Sequence, residues 1–130
     1  MVIQVVRDQV SFMRFSVRSA FPATHRIRID ARGTLEPAHA HNWRIQAWFE
    51  ADDEITEIPA RARGFLLAWV RRYDGKSFND VPPFDVINPT AEEVARVFAE
   101  EGAAALPAAR VLRVEVGEAA GFSATYRPEI

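Results

Sequence analysis

The chain contains no cysteine, which excludes disulfides, thiolate metal ligands and a cysteine nucleophile together. No apolar run approaches the roughly 18 residues that a membrane span requires. The opening residues, MVIQVVRDQV, lack a basic n-region, and Gln4, Arg7 and Asp8 break their short apolar run, so they do not read as a secretory signal. A soluble, cytoplasmic protein is the expectation. An excess of one charge is missing too: 16 Lys and Arg stand against 18 Asp and Glu, for a formal charge of −2. That balance lacks the electrostatic footprint of a nucleic-acid binder. Neither repeats nor low-complexity tracts appear, and no linker divides the sequence. What is present is an ordinary globular mix, 48% apolar and 26% charged over 130 residues. It predicts one domain spanning residues 1–130.

Hydrophobic periodicity then orders the elements. Ser11 to Ala20, with Phe15 and Val17 on one face, reads as a strand. His39 to Ala51 alternates more cleanly: Trp43, Ile45, Ala47 and Phe49 share a face, with Arg44, Gln46 and Glu50 opposite. Apolar steps of three and four from Ala62 to Tyr73 predict an amphipathic helix. Pro82-Pro83 keeps residues 75–89 irregular. Thr90 and Glu93 form a T-x-x-E capping box opening a second helix, with Val94, Val97 and Phe98 inside; it ends by Pro107. Leu112, Val114 and Val116 alternate as a strand, and Phe122, Ala124 and Tyr126 as another. The order strand, strand, helix, helix, strand, strand predicts an α+β protein with an antiparallel sheet and both helices on one face.

The three histidines, His25, His39 and His41, fall where a single site could gather them. An H-x-H on a strand points both imidazoles to one side, about 6.5–7 Å apart along the chain. His25 follows the preceding strand, and antiparallel pairing could bring it alongside. Three neutral imidazoles with an open fourth position is a catalytic zinc pattern. A single histidine in a loop is commonly polar surface, so the reading rests on all three fitting one site. Glu118 extends the inward row of Leu112, Val114 and Val116. It either pairs with a ligand edge carrying two N–H donors, such as a pterin or guanine, or reaches water at the strand end. Glu36, three residues before His39, is either a general acid or base or a solvated loop carboxylate.

Together these segments resemble the 6-pyruvoyltetrahydropterin synthase and 6-carboxytetrahydropterin synthase family. FPATH (Phe21–His25) is similar to the family's F-x-A-x-H, HAHNW (His39–Trp43) to its H-G-H-N-Y, NPTAEEVA (Asn88–Ala95) to its P-T-x-E-N-x-A, and GEAAGFSATYRPE (Gly117–Glu129) to its terminal E-T…Y segment. The resemblance implies a tunnelling fold: a four-stranded antiparallel sheet with two helices on one face, joined between subunits into a barrel, commonly a homohexamer. It further implies zinc held by His25, His39 and His41, and a pterin substrate anchored by Glu118 with Thr90 and Glu92. The family's cysteine before H-G-H is absent. Members carrying a glutamate instead have E-x-x-H, the spacing of Glu36, and resemble enzymes that cleave the side chain to 6-hydroxymethyl-dihydropterin. The family's Asp-His pair is similar to Asp74-Gly75, without the histidine, and its H-G-H glycine is Ala40. Glu36 and Asp74 are therefore the candidate proton-transfer residues.

The resemblance implies a lyase acting on the side chain of 7,8-dihydroneopterin or its triphosphate. The rival is a catalytically silent pterin or purine binder of the same fold. A cupin-type barrel also uses H-x-H, but it expects a further histidine and glycine-rich turns. The chain has only three His and six Gly.

Overall fold

Five strands form one antiparallel sheet in chain order: β1 (Val2–Arg7), β2 (Val10–His25), β3 (His39–Asp52), β4 (Ala109–Ala119) and β5 (Phe122–Tyr126). Helices α1 (Ile58–Tyr73) and α2 (Ala91–Ala105) pack on one face. The computed structural model describes residues 2–7, 10–119 and 121–128. Ala120 and Glu129 of the terminal motif lie outside them.

The fold class is as expected, with one strand more than the predicted four. The addition is β1, which pairs with residues 10–15 of β2. Its sequence, VIQVVR, does not alternate, which hides a strand whose Val2, Ile3 and Val6 are exposed at the sheet edge. Arg7 ties it down. Arg7 Nη2 and Arg14 Nε both donate to Glu50 Oε2 at 2.7 Å, and Glu50 is only 7% exposed.

Burial alone would raise the Glu50 pKa, but the Arg14 hydrogen bond and the charges of Arg7, Arg14 and Arg110 outweigh it, so the pKa lies below the ordinary carboxylate value. A depressed folded-state pKa adds stability above the unfolded pKa and loses it as pH falls through the folded one. Glu50→Gln should therefore flatten the acid limb of stability below pH about 4.5, the unshifted value. Urea midpoints against pH would show this; parallel curves for the two proteins would rule it out.

β2 runs on past its predicted end at Ala20 because Pro22 is harmless there. Its partner on one side is Asn42 of β3, and β1 has already ended on the other. The extension carries Phe21, Ala23 and His25 onto the buried face with Phe15 and Val17. α1 begins four residues before the predicted Ala62, with Pro59 in its first turn, where a missing N–H costs nothing.

β4 departs from simple alternation twice. Phe49 pairs with Val111 and Trp48 with Arg113, so Leu112 is an extra, unpaired residue. The inward row is thus Val111, Val114 and Val116, and Leu112 is only half-buried. Gly117 pairs with Ser123 and Ala119 with Phe122, so Glu118 is the second extra residue. Phe122, expected inside, is 71% exposed beyond this bulge.

An aromatic series links the sheet to the helices. Trp43 packs on Phe78 (4.8 Å between centroids), Phe78 on Tyr73 (4.6 Å), Tyr73 on Trp69 (4.6 Å) and Trp69 on Phe98 (5.1 Å). Glu101 of α2 accepts from Trp69 Nε1 and Arg72 of α1, closing the helix pair.

Candidate functional site

Antiparallel register builds the site. His25, the last residue of β2, pairs directly with His39, the first of β3. The His25 ring centroid lies 5.1 Å from that of His41 and 6.3 Å from that of His39, and the His39 and His41 rings are 6.1 Å apart and nearly parallel. The neighbouring strand β4 brings Glu118 to the same end of the sheet. Its Oε2 is 3.5 Å from His25 Nε2.

Each side chain has a distinct support. His25 is 1% exposed, and its Nδ1 is 2.8 Å from the Pro89 carbonyl. A carbonyl only accepts, so Nδ1 carries a proton, and Nε2 faces Glu118. Pro89 is held there by the irregular 75–89 segment, which is stitched to the chain following β2. Asn79 Nδ2 donates to the Arg26 carbonyl and its Oδ1 accepts from the Arg26 N–H, both at 2.8 Å. Asn88 makes the same pair of bonds with Arg28. Below the imidazoles lies the buried Trp43 ring, 5.0 Å from His25 and 6.0 Å from His41. Its Nε1 donates to the Ala23 carbonyl.

His25, His41 and Glu118 each offer a ligand atom within 4.8 Å of the other two. Two donors on a tetrahedral zinc with 2.0–2.2 Å bonds stand about 3.4 Å apart, which the His25–Glu118 separation already meets. Glu118 Oε2 is buried without a hydrogen-bond partner, and a carboxylate oxygen so placed is costly unless a cation meets it. The donor set thus fits a divalent ion.

His39 stands apart from this trio. It is half-exposed, and its Nε2 is 3.4 Å from Glu36 Oε2. Glu36 Oε1 accepts from the Ile27 N–H. The E-x-x-H spacing therefore yields a side-by-side carboxylate and imidazole.

The remaining predicted residues lie outside the trio. Thr90 Oγ1 accepts from the Glu93 N–H, so it caps α2. The reciprocal half of the capping box does not form: Glu93 bonds to Arg96, and the Thr90 N–H donates to the Asn88 carbonyl. Glu92 is exposed in the first turn of α2. Asp74 is exposed at the end of α1, although the next residues, Gly75 and Lys76, line a hollow of about 350 Å³ with Thr24, Ala40 and His41. Gly75 adopts φ +72°, a conformation side chains rarely take. The sequence reading missed the Asn79, Asn88 and Pro89 scaffold. Its only trace was the resemblance of the segment opening at Asn88.

The family of 6-pyruvoyl tetrahydropterin synthase matches residues 14–129, nearly the whole chain. The chain belongs to the 6-pyruvoyl tetrahydropterin synthase family. Solved structures of such synthases share its fold. That from Caenorhabditis elegans is 17% identical, covering 91% of this chain and 96% of its own, with a TM-score of 0.74. A Plasmodium vivax synthase in which a glutamate described as a catalytic residue is replaced by cysteine is 13% identical, covering 92% and 99%, with a TM-score of 0.67. That from Plasmodium falciparum is 12% identical over the same coverage, with a TM-score of 0.62. No curated protein matches the sequence. The 6-pyruvoyl tetrahydropterin synthase family comprises lyases acting on pterins. Among the described residues, no helix is long and apolar enough to cross a membrane.

Proposed function

We propose that the protein is a zinc-dependent lyase acting on the side chain of 7,8-dihydroneopterin or its triphosphate. The observation that carries this is the His25–His41–Glu118 cluster, with His25 buried and the other two half-buried, flanked by the Glu36–His39 pair, in a chain of a pterin lyase family. Zinc supplies Lewis acidity, polarising a side-chain oxygen of the substrate so that a neighbouring C–H becomes more acidic.

The chain's own residues divide the rest of the work. His25 and His41 hold the ion, with Pro89 and Trp43 fixing their rings. Glu36 takes or returns the proton. Its carboxylate is steadied by the Ile27 N–H and adjoins His39, and a glutamate is the residue named catalytic in the Plasmodium vivax structure. Asp74 is the weaker proton-transfer candidate, being exposed at the end of α1. Thr90 and Glu92 line the substrate only if the pterin reaches the start of α2, or if a neighbouring subunit offers its own. The family's hexameric barrel is part of this proposal.

Incubation of the zinc-loaded protein with dihydroneopterin and its triphosphate, followed by chromatography, tests the reading. A new pterin product is the expected result; both substrates unchanged with zinc bound refutes catalysis. That second outcome would favour a silent pterin binder. One observation supports this alternative: Gly75, at the position of the family's histidine, has no side chain, and its positive φ disfavours one.

A further inference from the structure

We infer that Phe122 is the stacking surface for the heterocycle of the substrate. This rests on the pterin-lyase reading above and adds the residue that supports the ring, whichever side chains hold the ion.

Phe122 is 71% exposed, and among the described residues it is the only exposed aromatic side chain. It does not stand on the polar face of the sheet. Residues two apart on a strand share a face, and the next two on this one are Ala124, buried in the core, and Tyr126, packed against it. α2 packs on β5, but its cover ends before Phe122. The phenyl ring is therefore bare on the side of the sheet where its neighbours are covered.

The ring also stands at the rim of the site. Phe122 pairs with Ala119, the residue after Glu118. One step along β4 and one across the ladder put its Cα no more than about 9 Å from that of Glu118. Glu118 Oε2 in turn lies 3.5 Å from His25 Nε2 and joins His41 in the cluster. That span is about the length of one bicyclic ring.

The substrate has two unlike halves. Its hydroxylated chain suits the ion, whereas its ring is flat, with hydrogen-bonding edges and faces that need apolar or aromatic cover. Trp43 cannot give that cover, being fully buried against His25, His41 and Phe78. Phe122 has its ring open. A second copy of the chain is the competing occupant, since β5 is the last strand of the sheet. A copy added at that edge would engage backbone groups in the plane of the sheet, while the Phe122 side chain stands off its face.

Equilibrium dialysis of 7,8-dihydroneopterin against the zinc-loaded full-length protein tests this. Phe122→Ala should weaken binding by about 5–150-fold, the usual cost of removing an aromatic platform from a stacked base. Phe122→Leu, apolar but not flat, should lose most of the same affinity, and Phe122→Trp should stay within about threefold of the parent. Where turnover is followed, the Ala variant should lose in KM rather than kcat, because the ring lies away from the reacting side chain. Zinc content should be equal in all four proteins, and truncating so exposed a side chain should leave the fold intact by circular dichroism. An Ala variant within about twofold of the parent overturns the inference, as does a Leu variant equal to it. A Phe122→Ala protein that loses zinc, or elutes as a smaller assembly on gel filtration, overturns it too, the residue then being a structural or subunit contact. Should the unaltered, zinc-loaded protein bind no dihydroneopterin, the pterin reading itself fails and this inference falls with it.

Discussion

Replacing Glu36 with glutamine slows turnover of the dihydroneopterin substrate by about 10²–10⁴-fold, the usual cost of losing a general acid or base. The variant is clean because glutamine retains what the carboxylate does for the structure. Its amide oxygen can still accept from the Ile27 N–H, and the loop is otherwise closed by backbone bonds from Ile29 to Thr34 and from Glu36 to Ile27. What changes is the oxygen beside His39, which can no longer hold a proton. The fall should appear in kcat with KM nearly constant, since a proton-transfer group acts in the transition state more than in binding. A rise in KM at unchanged kcat would instead make Glu36 a substrate contact. Equal turnover in the two proteins would move the proton-transfer role to another residue, Asp74 first.

Trp43→Ala should remove about 3–5 kcal/mol of stability, about a fifth or more of what a typical domain possesses. Trp43 is fully buried at the junction of two structures. On one side it packs edge-on to His25 and His41; on the other it meets Phe78, the first ring of the series leading to α1 and α2. Truncation opens a large cavity and strips the Ala23 carbonyl of its indole donor. Trp43→Phe keeps most of the packing and loses only the indole N–H and part of the volume, so it should cost clearly less. Urea unfolding with an unchanged m-value would measure both. An Ala variant within about 1 kcal/mol of the parent would mean that the site collapses to fill the space, at the low end of core truncations. Because the indole is the floor beneath two proposed ligands, Trp43→Ala should weaken metal binding as well.

The legibility of the fold followed the strength of its periodicities. β3 alternates from Trp43 to Phe49 because one face is core and the other is largely polar, and its predicted start at His39 is where the strand begins. α2 was marked by its cap and its stripe. The errors have physical causes. The strand expected to end at Ala20 runs on to His25, and among the described residues only the 75–77 segment meets β2 on that side beyond Phe15. Leu112 looked inward because period two assumes an unbroken ladder, and one extra residue shifts the phase. β1 offered no alternation to read. At the site, identity was legible and pairing was not. The H-x-H motif and the lone acidic residue in an apolar row pointed to His25, His39, His41 and Glu118, but only strand register decides which of them face one another. The Glu118 bulge and the Pro89 carbonyl are tertiary facts with no local signal.

The supports of His25 have a consequence for how the cluster comes into being. Its three imidazoles come together in the β2–β3 hairpin, whereas Glu118 of β4 and the Pro89 carbonyl at the threshold of α2 reach it only by closing long loops of chain. The hairpin alone therefore holds imidazoles but no carboxylate, and without the Asn79–Pro89 segment His25 is free to change its protonated nitrogen. The full set of supports thus depends on the long-range contacts, and opening of the Asn79–Pro89 segment alone should be enough to loosen His25.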